Sequence, residues 1–275
     1  MLRYFGEDHP GFFVEVGAND GVHGSNTHLL EQRGWKGILV EPSPTLAQAC
    51  RAARPASVVV NKAIVGDSEI ASVEFYEYSR GTTGARFDGM SCVGKRSPYE
   101  EAALAAGSQV TRSTVPAVRL DDALKENNVV GPIDFLSIDV EGLELEVLRG
   151  LSLEVYRPRL ILVEDNSFGG DSRVTDHLRR HGYVPVRRTF VNLWYLPADA
   201  SADGIRVRHG LPMHLAFKLL AAEAKLLDNP RFYPEMRRMI DDERGRLPGC
   251  KYAVVRLTPI WLLKIARRLA QWRRR

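Results

Sequence analysis

The sequence predicts an α/β fold: a doubly wound, mostly parallel sheet with an antiparallel hairpin at one edge, followed by a mainly helical C-terminal extension. Three observations predict it. Short apolar runs alternate with helix-like segments over residues 12–60 and again over 121–180, the rhythm of parallel strands joined by covering helices. Those runs are continuous rather than alternating, as strands buried on both faces read. Glycines and acids stand at their ends, where crevices open in such sheets.

The elements follow in order. Phe12 to Val16 reads as a strand, broken by the tight turn Gly17-Ala18-Asn19-Asp20-Gly21, and Ser25 to Gln32 as a helix stopped near Gly34. Gly37 to Glu41 is a second strand ended by Pro42, Ser43 offers an N-cap for a helix through Cys50, and Ser57 to Val60 is a third strand. Residues 70–78 read as an irregular extension around Val73, Phe75 and Tyr76. Residues 79–113 are rich in Gly, Ser, Thr and Arg, with only Glu100 to Ala106 helical in pattern. Loops beyond about 15 residues are uncommon unless functional or disordered, so this stretch is expected to be a variable loop or lid over an acceptor. A helix at Asp121 to Asn127, a strand at Ile133 to Ile138, a helix at Leu143 to Leu148 and a strand at Leu160 to Val163 resume the rhythm. A helix at Ser172 to Arg180 and a hairpin of Tyr183 to Arg187 with Asn192 to Leu196 complete a first domain, residues 1–200. In residues 201–275, Pro212 and Pro234 open two helical patterns and Tyr252 to Leu257 reads as a strand.

Composition narrows the class. The 275 residues are 44% hydrophobic and 26% charged, which excludes a disordered tail, a collagen and a disulfide-stapled miniprotein. Residues 1–200 hold 21 basic and 27 acidic residues, a net −6, whereas residues 201–275 hold 17 and 7, a net +10. The basic character belongs to the C-terminal extension. Cys50, Cys92 and Cys250 are odd in number and far apart, which fits a reducing, cytoplasmic setting. Phe12 to Val16 is too short and too interrupted for a secretory signal, and no stretch of 18 largely apolar residues exists.

The strongest chemical signal is Glu15-x-Gly17-x-x-x-Gly21 after the first strand, paired with Glu41 at the end of the second. Glycines let backbone approach a ligand, and an acid there can accept from both hydroxyls of a ribose. The spacing leaves no GxGxxG, so a nucleoside without a pyrophosphate is the expected ligand; ordinary turn glycines are the bland reading. A second cluster is Asp139, Glu141 and Gly142 with Glu164, Asp165 and Asn166. Asp139, Asp165 and Asn166 offer two carboxylates and an amide oxygen, a set suited to magnesium. Two alternatives stand beside it: Asp139 and Glu141 as caps of the following helix, or a carboxylate as proton acceptor. His177 is a weaker candidate base, and His9 no better. No GxSxG elbow and no HExxH pair occur.

Phe13 to Gly21, Arg33 to Pro42, Phe135 to Gly142 and Ile161 to Glu164, four phrases in order, resemble the FkbM family of S-adenosylmethionine-dependent methyltransferases. The resemblance spans residues 12–196. It implies a seven-stranded class I methyltransferase fold and methyl transfer to a hydroxyl, often on a sugar of a glycan, glycolipid or glycosylated metabolite. It also implies Glu15, Gly17, Asn19 and Gly21, with Asp20 in the same turn, around the amino-acid end and ribose of the cofactor, and Glu41 on the ribose hydroxyls. Asp139 with Asp165-Asn166 is further similar to the magnesium ligands of catechol-type O-methyltransferases. If Glu164 faces the crevice, strand alternation turns Asp165 away. On this reading Asp139, Glu141 and His177 manage the acceptor and its proton, while Thr82, Thr83, Arg86 and Tyr99 are weak contact candidates.

The extension carries Trp261, Ile265, Leu269 and Trp272 at helical spacing, with six cations and no acid over residues 259–275. That pattern fits an anionic membrane, here the inner face of the plasma membrane, and access to a lipid-linked glycan. Packing on its own domain or on a second copy in a homo-oligomer is the competing reading. Nucleic acid is not expected, because no aromatic platform or recognition-helix pattern accompanies the charges. A catalytically silent nucleoside-binding scaffold at a membrane is the alternative to an enzyme. The joint presence of Glu15, Gly17, Gly21, Glu41 and the second acidic cluster favours the enzyme.

Overall fold

The computed structural model describes residues 2–6, 8–79, 91–94, 100–105, 107–167, 170–189 and 191–200. Nearly all lie in one compact unit, Met1–Asn166 with Ser172–Arg187 and Val191–Ile205. In chain order the elements are α1 (Leu2–Phe5), β1 (Phe12–Val16), α2 (His28–Glu31), β2 (Lys36–Val40), α3 (Pro44–Ala53), β3 (Val58–Val60), β4 (Ala63–Ile64), β5 (Ser72–Tyr78) and β6 (Cys92–Val93). They continue as α4 (Glu100–Ala105), β7 (Val110–Val118), α5 (Leu120–Glu126), β8 (Phe135–Ile138), α6 (Glu144–Arg149), α7 (Leu153–Tyr156), β9 (Leu160–Glu164), α8 (Arg173–Arg180), β10 (Tyr183–Thr189) and β11 (Asn192–Pro197).

Seven strands form the main sheet in the order β10-β11-β9-β8-β1-β2-β3. β3, β2, β1, β8 and β9 are mutually parallel, and β11 runs antiparallel to β9. This is the expected doubly wound sheet with its antiparallel edge. Phe13, Leu39, Phe135, Leu160 and Leu162 build a core on one face with Leu30, Trp35 and Cys50 from the covering segments. The intervening Val14, Ile38, Leu136 and Ile161 are equally buried. Both faces are therefore covered, which is why these strands read as unbroken apolar runs. Chain order reverses on either side of β1, placing the switch point outside the carboxyl ends of β1, β2 and β8.

The segment read as extension and lid differs most. β5 is a regular seven-residue strand, antiparallel to β7 from Ser72↔Pro116 to Tyr78↔Val110, and β7 runs through the end of the expected loop. With β4 and β6 they make a second, four-stranded sheet around Phe75, Val115 and Ala63. Thr82, Thr83, Arg86 and Tyr99 lie outside the described residues, as does the C-terminal extension with Trp261 and its basic neighbours. The first helix is shorter than predicted: α2 begins at His28, because Ser25, Asn26 and Thr27 are bonded instead to Glu15. Among the described residues no helix is long and apolar enough to cross a membrane.

Candidate active site

The turn after β1 is held by the sheet. The amides of Gly17 and Ala18 both donate to the Val40 carbonyl at 3.0 Å. Gly17 has φ +88, and a Cβ there would sit 1.7 Å from the Asp139 carbonyl oxygen, so no side chain fits between β1 and β8. Asn19 follows at φ +52, and its amide donates to Glu41 Oε2 at 2.9 Å. The Ser43 amide donates to Glu41 Oε1 at 2.9 Å, while the Ser43 hydroxyl caps α3 and donates to Glu77 at 2.7 Å. Burial pushes the Glu41 carboxyl up to about 7 against those two amides, and the Glu77 charge adds to the rise.

Gly17, Asn19 and Glu41 open onto one cleft with Asp139, Val140 and Glu141. Leu46, Ile64 and Phe75 form its apolar walls. The cleft therefore joins the carboxyl ends of β1, β2 and β8 to the second sheet. Glu15, Asp20 and Gly21 do not line it. Glu15 is buried and accepts from the Ser25 and Thr27 hydroxyls and the Asn26 amide; burial raises its carboxyl despite these bonds. Asp20 accepts from the Val22 and His23 amides and the His23 ring. Burial alone would raise its carboxyl, but these donors outweigh it and the net direction is down. Gly21 packs against Arg54 and Cys50, where a Cβ would meet Arg54 Cγ at 2.8 Å. These three residues shape the turn from behind.

At the other end of the cleft, one oxygen each from Asp139, Glu141 and Glu164 lies within 4.8 Å of the others. Glu141 reaches it from a left-handed backbone, φ +55, with Gly142 at φ +101, a conformation that costs a non-glycine residue on the order of 1–2 kcal/mol. Glu144 in the first turn of α6 accepts from the Gly142 amide at 2.8 Å and steadies the bend. Burial, then the Asp139 and Glu144 charges, push Glu141 up to about 7. Asp139 and Glu164 share a hydrogen bond, and burial raises both; the Asp139 and Glu141 charges add to the rise at Glu164. Two carboxyls so bonded hold a proton between them. Glu164 Oε2 is buried without a hydrogen-bond partner.

The sequence reads Asp139, Asp165 and Asn166 as a metal set within a cluster that also holds Glu164; of that cluster the structure gathers Asp139, Glu141 and Glu164. β9 ends at Glu164, the Asp165 amide extends the ladder to the Val191 carbonyl, and successive strand side chains point to opposite faces. Asn166 is exposed. His177 is displaced more fundamentally. It sits on α8 against α6, bonded to the Leu148 backbone, with the His181 ring 4.7 Å away. Burial, then the His181, Arg180 and Arg149 charges, lower its proton affinity, and it does not line the cleft. Spacing on a helix shows which residues share a face, not which neighbour that face meets. Sequence reasoning missed Glu144 and Arg54; a lone arginine at a helix end gives no signal separating it from a solvated one.

The chain matches the methyltransferase FkbM domain over residues 15–185 and belongs to that family, as an S-adenosylmethionine-dependent methyltransferase. No curated protein is similar enough to count as a relative. Among solved structures, an O-methyltransferase from Bacillus cereus in complex with SAH is 12% identical, over 70% of this chain and 76% of its own, with a TM-score of 0.34.

Proposed function

We propose that this FkbM-family methyltransferase transfers the sulfonium methyl of S-adenosylmethionine to a sugar hydroxyl in a glycan, glycolipid or glycosylated metabolite. The observation that carries it is the meeting of Gly17, Asn19 and Glu41 with Asp139 and Glu141 in one cleft. Gly17 and Asn19 receive the amino-acid end, Glu41 accepts from the ribose hydroxyls, and Leu46 with Ile64 offers the apolar surface an adenine needs. The acceptor lies toward Asp139 and Glu141.

A sulfonium methyl is already electrophilic, so alignment and proton management remain for the protein. The acceptor oxygen bonds to the methyl carbon as the carbon–sulfur bond breaks, leaving S-adenosylhomocysteine, and the hydroxyl proton passes to the Glu141 carboxylate. A carboxyl raised to about 7 is partly ionised near neutrality and matched to that task. Three carboxylate oxygens beside the orphaned Glu164 Oε2 also fit a hard divalent cation. In that second reading Asp139, Glu141 and Glu164 would hold it, and magnesium bound there would lower the proton affinity of the acceptor hydroxyl in place of the Glu141 base.

Labelled-methyl transfer across nucleotide sugars and lipid-linked oligosaccharides, with EDTA or added magnesium, tests this reading. Label in a sugar ether that disappears with Glu41→Gln supports it; label only in amine or carboxylate acceptors sinks it. Residues 1–200 are proposed as the catalytic domain, and the tryptophans and cations of residues 259–275 as a contact with an anionic membrane. Unchanged vesicle flotation after deleting residues 259–275 would sink the membrane contact.

A further inference from the structure

Among the described residues Arg54 is the largest buried charged side chain, 1% exposed, and it does not line the cleft. It stands just past the C-terminal end of α3, and its three nitrogens are all engaged. Nε donates to Glu31 at 2.8 Å, Nη1 donates to the Gly21 carbonyl at 2.8 Å and to Ser25 Oγ at 3.2 Å, and Nη2 donates to Thr27 Oγ1 at 3.0 Å. Its guanidinium also lies 5.5 Å from the centre of the Phe13 ring.

Glu15 reaches the same two hydroxyls from the opposite side. Ser25 and Thr27 each donate to Glu15 Oε2, at 2.8 and 2.6 Å, while the nearest guanidinium nitrogen is 4.0 Å away. A hydroxyl has one proton to donate. Both protons go to the carboxylate, and both oxygens accept from the guanidinium. The buried pair is thus joined through two oriented hydroxyls rather than by direct contact, and the loop carrying Ser25 and Thr27 is fixed in register with β1 and α3.

We propose that Arg54 and Glu15 form a hydroxyl-bridged pair that presets the cofactor-binding turn, making Arg54 a positioning residue for S-adenosylmethionine affinity. The inference rests on the cofactor reading given above. The mechanical route is short. Arg54 holds the Gly21 carbonyl, the Gly21 amide donates to the Ala18 carbonyl at 2.9 Å, and Ala18 lies between the two turn residues that line the cleft. Asn26, whose amide Glu15 binds, reaches β8 through Ser137 at 3.1 Å. The second glycine of the motif is explained by the same contact: it leaves room for the Arg54 stem, not for a ligand. A turn shaped before binding loses less freedom when the ligand arrives, so the pair acts on affinity and leaves the reacting atoms untouched.

Thr27→Val keeps the shape and removes one bridge; Arg54→Met removes the fork, and Arg54→Lys keeps the charge without the fork. The full-length variants are compared by S-adenosylmethionine calorimetry, by kcat against KM for the cofactor, and by amide hydrogen exchange of residues 19–27 without ligand. The proposal expects at least about a tenfold rise in Kd and KM for Thr27→Val and Arg54→Met, kcat at saturating cofactor within about threefold, faster exchange in residues 19–27, and only partial rescue by Arg54→Lys. Unchanged Kd in a folded Thr27→Val, or a fall in kcat with Kd unchanged, overturns it. Should Arg54→Met fail to fold, Thr27→Val decides alone. A wild-type protein that bound no cofactor would overturn the cofactor reading and the affinity effect with it; faster exchange in Thr27→Val would then still report the bridge itself.

Discussion

Asp134 and Asp139 flank the same strand, β8, and have opposite chemistry. At the amino end, Asp134 accepts from the Phe12 amide at 2.9 Å, from the His9 ring at 3.0 Å and from Arg159 at 2.8 Å. His9 in turn stacks on Phe5 and meets Trp35 edge-on. Burial alone would raise the Asp134 carboxyl, but these donors prevail and hold it below its ordinary value. At the carboxyl end, Asp139 is buried among Glu141 and Glu164 and raised. The comparison teaches that a strand end saturated with donors is a clamp, whereas one that gathers like charges raises the proton affinity of its carboxyls.

The largest break in that comparison comes from Asp139→Asn. Methyl transfer should fall by about 10²–10⁴, because Asp139 sets the charge around the Glu141 proton acceptor, while the protein stays folded; full activity would take Asp139 out of the chemistry. Asp134→Ala should do the reverse, costing about 2–3 kcal/mol of stability and leaving kcat per folded molecule intact. Denaturant titration across pH sharpens it. The Asp134 contribution is present above its unfolded pKa of about 3.9 and lost as pH falls through the lower folded value. The gap between wild type and Asp134→Ala should close in acid; a constant gap would assign the loss to packing alone.

Glu164→Gln should be the smaller, stabilising counterpart. A carboxyl raised by folding keeps its contribution below its unfolded pKa of about 4.3 and loses it as pH climbs toward the folded value. The glutamine should therefore melt a few degrees higher than wild type at pH 8 and about equally at pH 4, by differential scanning fluorimetry. Lower stability at pH 8 would contradict the mutual repulsion of the three acids.

The legible parts of the sequence were those in which local and global demands coincide. β1, β2, β8 and β9 are buried on both faces, so their apolar runs carried no ambiguity. The turn at Gly17 was equally plain, since only a residue without a side chain fits against Asp139. β7 was not legible: polar residues and Pro116 dominate it, and Val115 is its one fully buried residue. Its strand character comes from pairing with β5, a contact between distant parts of the chain. Glu164 against Asp165 turned on a single step of alternation, settled by where β9 stops. The place of His177, against α6 and off the cleft, was not legible because a helix face carries no label for its partner, nor was that of Arg54, because burial of an arginine is decided by hydroxyls almost thirty residues away.

The most direct test of the shared cleft is calorimetric titration of S-adenosylmethionine into wild type and Glu41→Gln from pH 6 to 8. A carboxylate accepting ribose hydroxyls binds better once ionised, so wild-type affinity should rise through about pH 7. Glu41→Gln should lose about 10–100-fold at pH 8, the loss expected of hydrogen bonds to a charged acceptor, and its profile should flatten. Equal affinity and an unchanged pH profile in a folded variant would contradict the account.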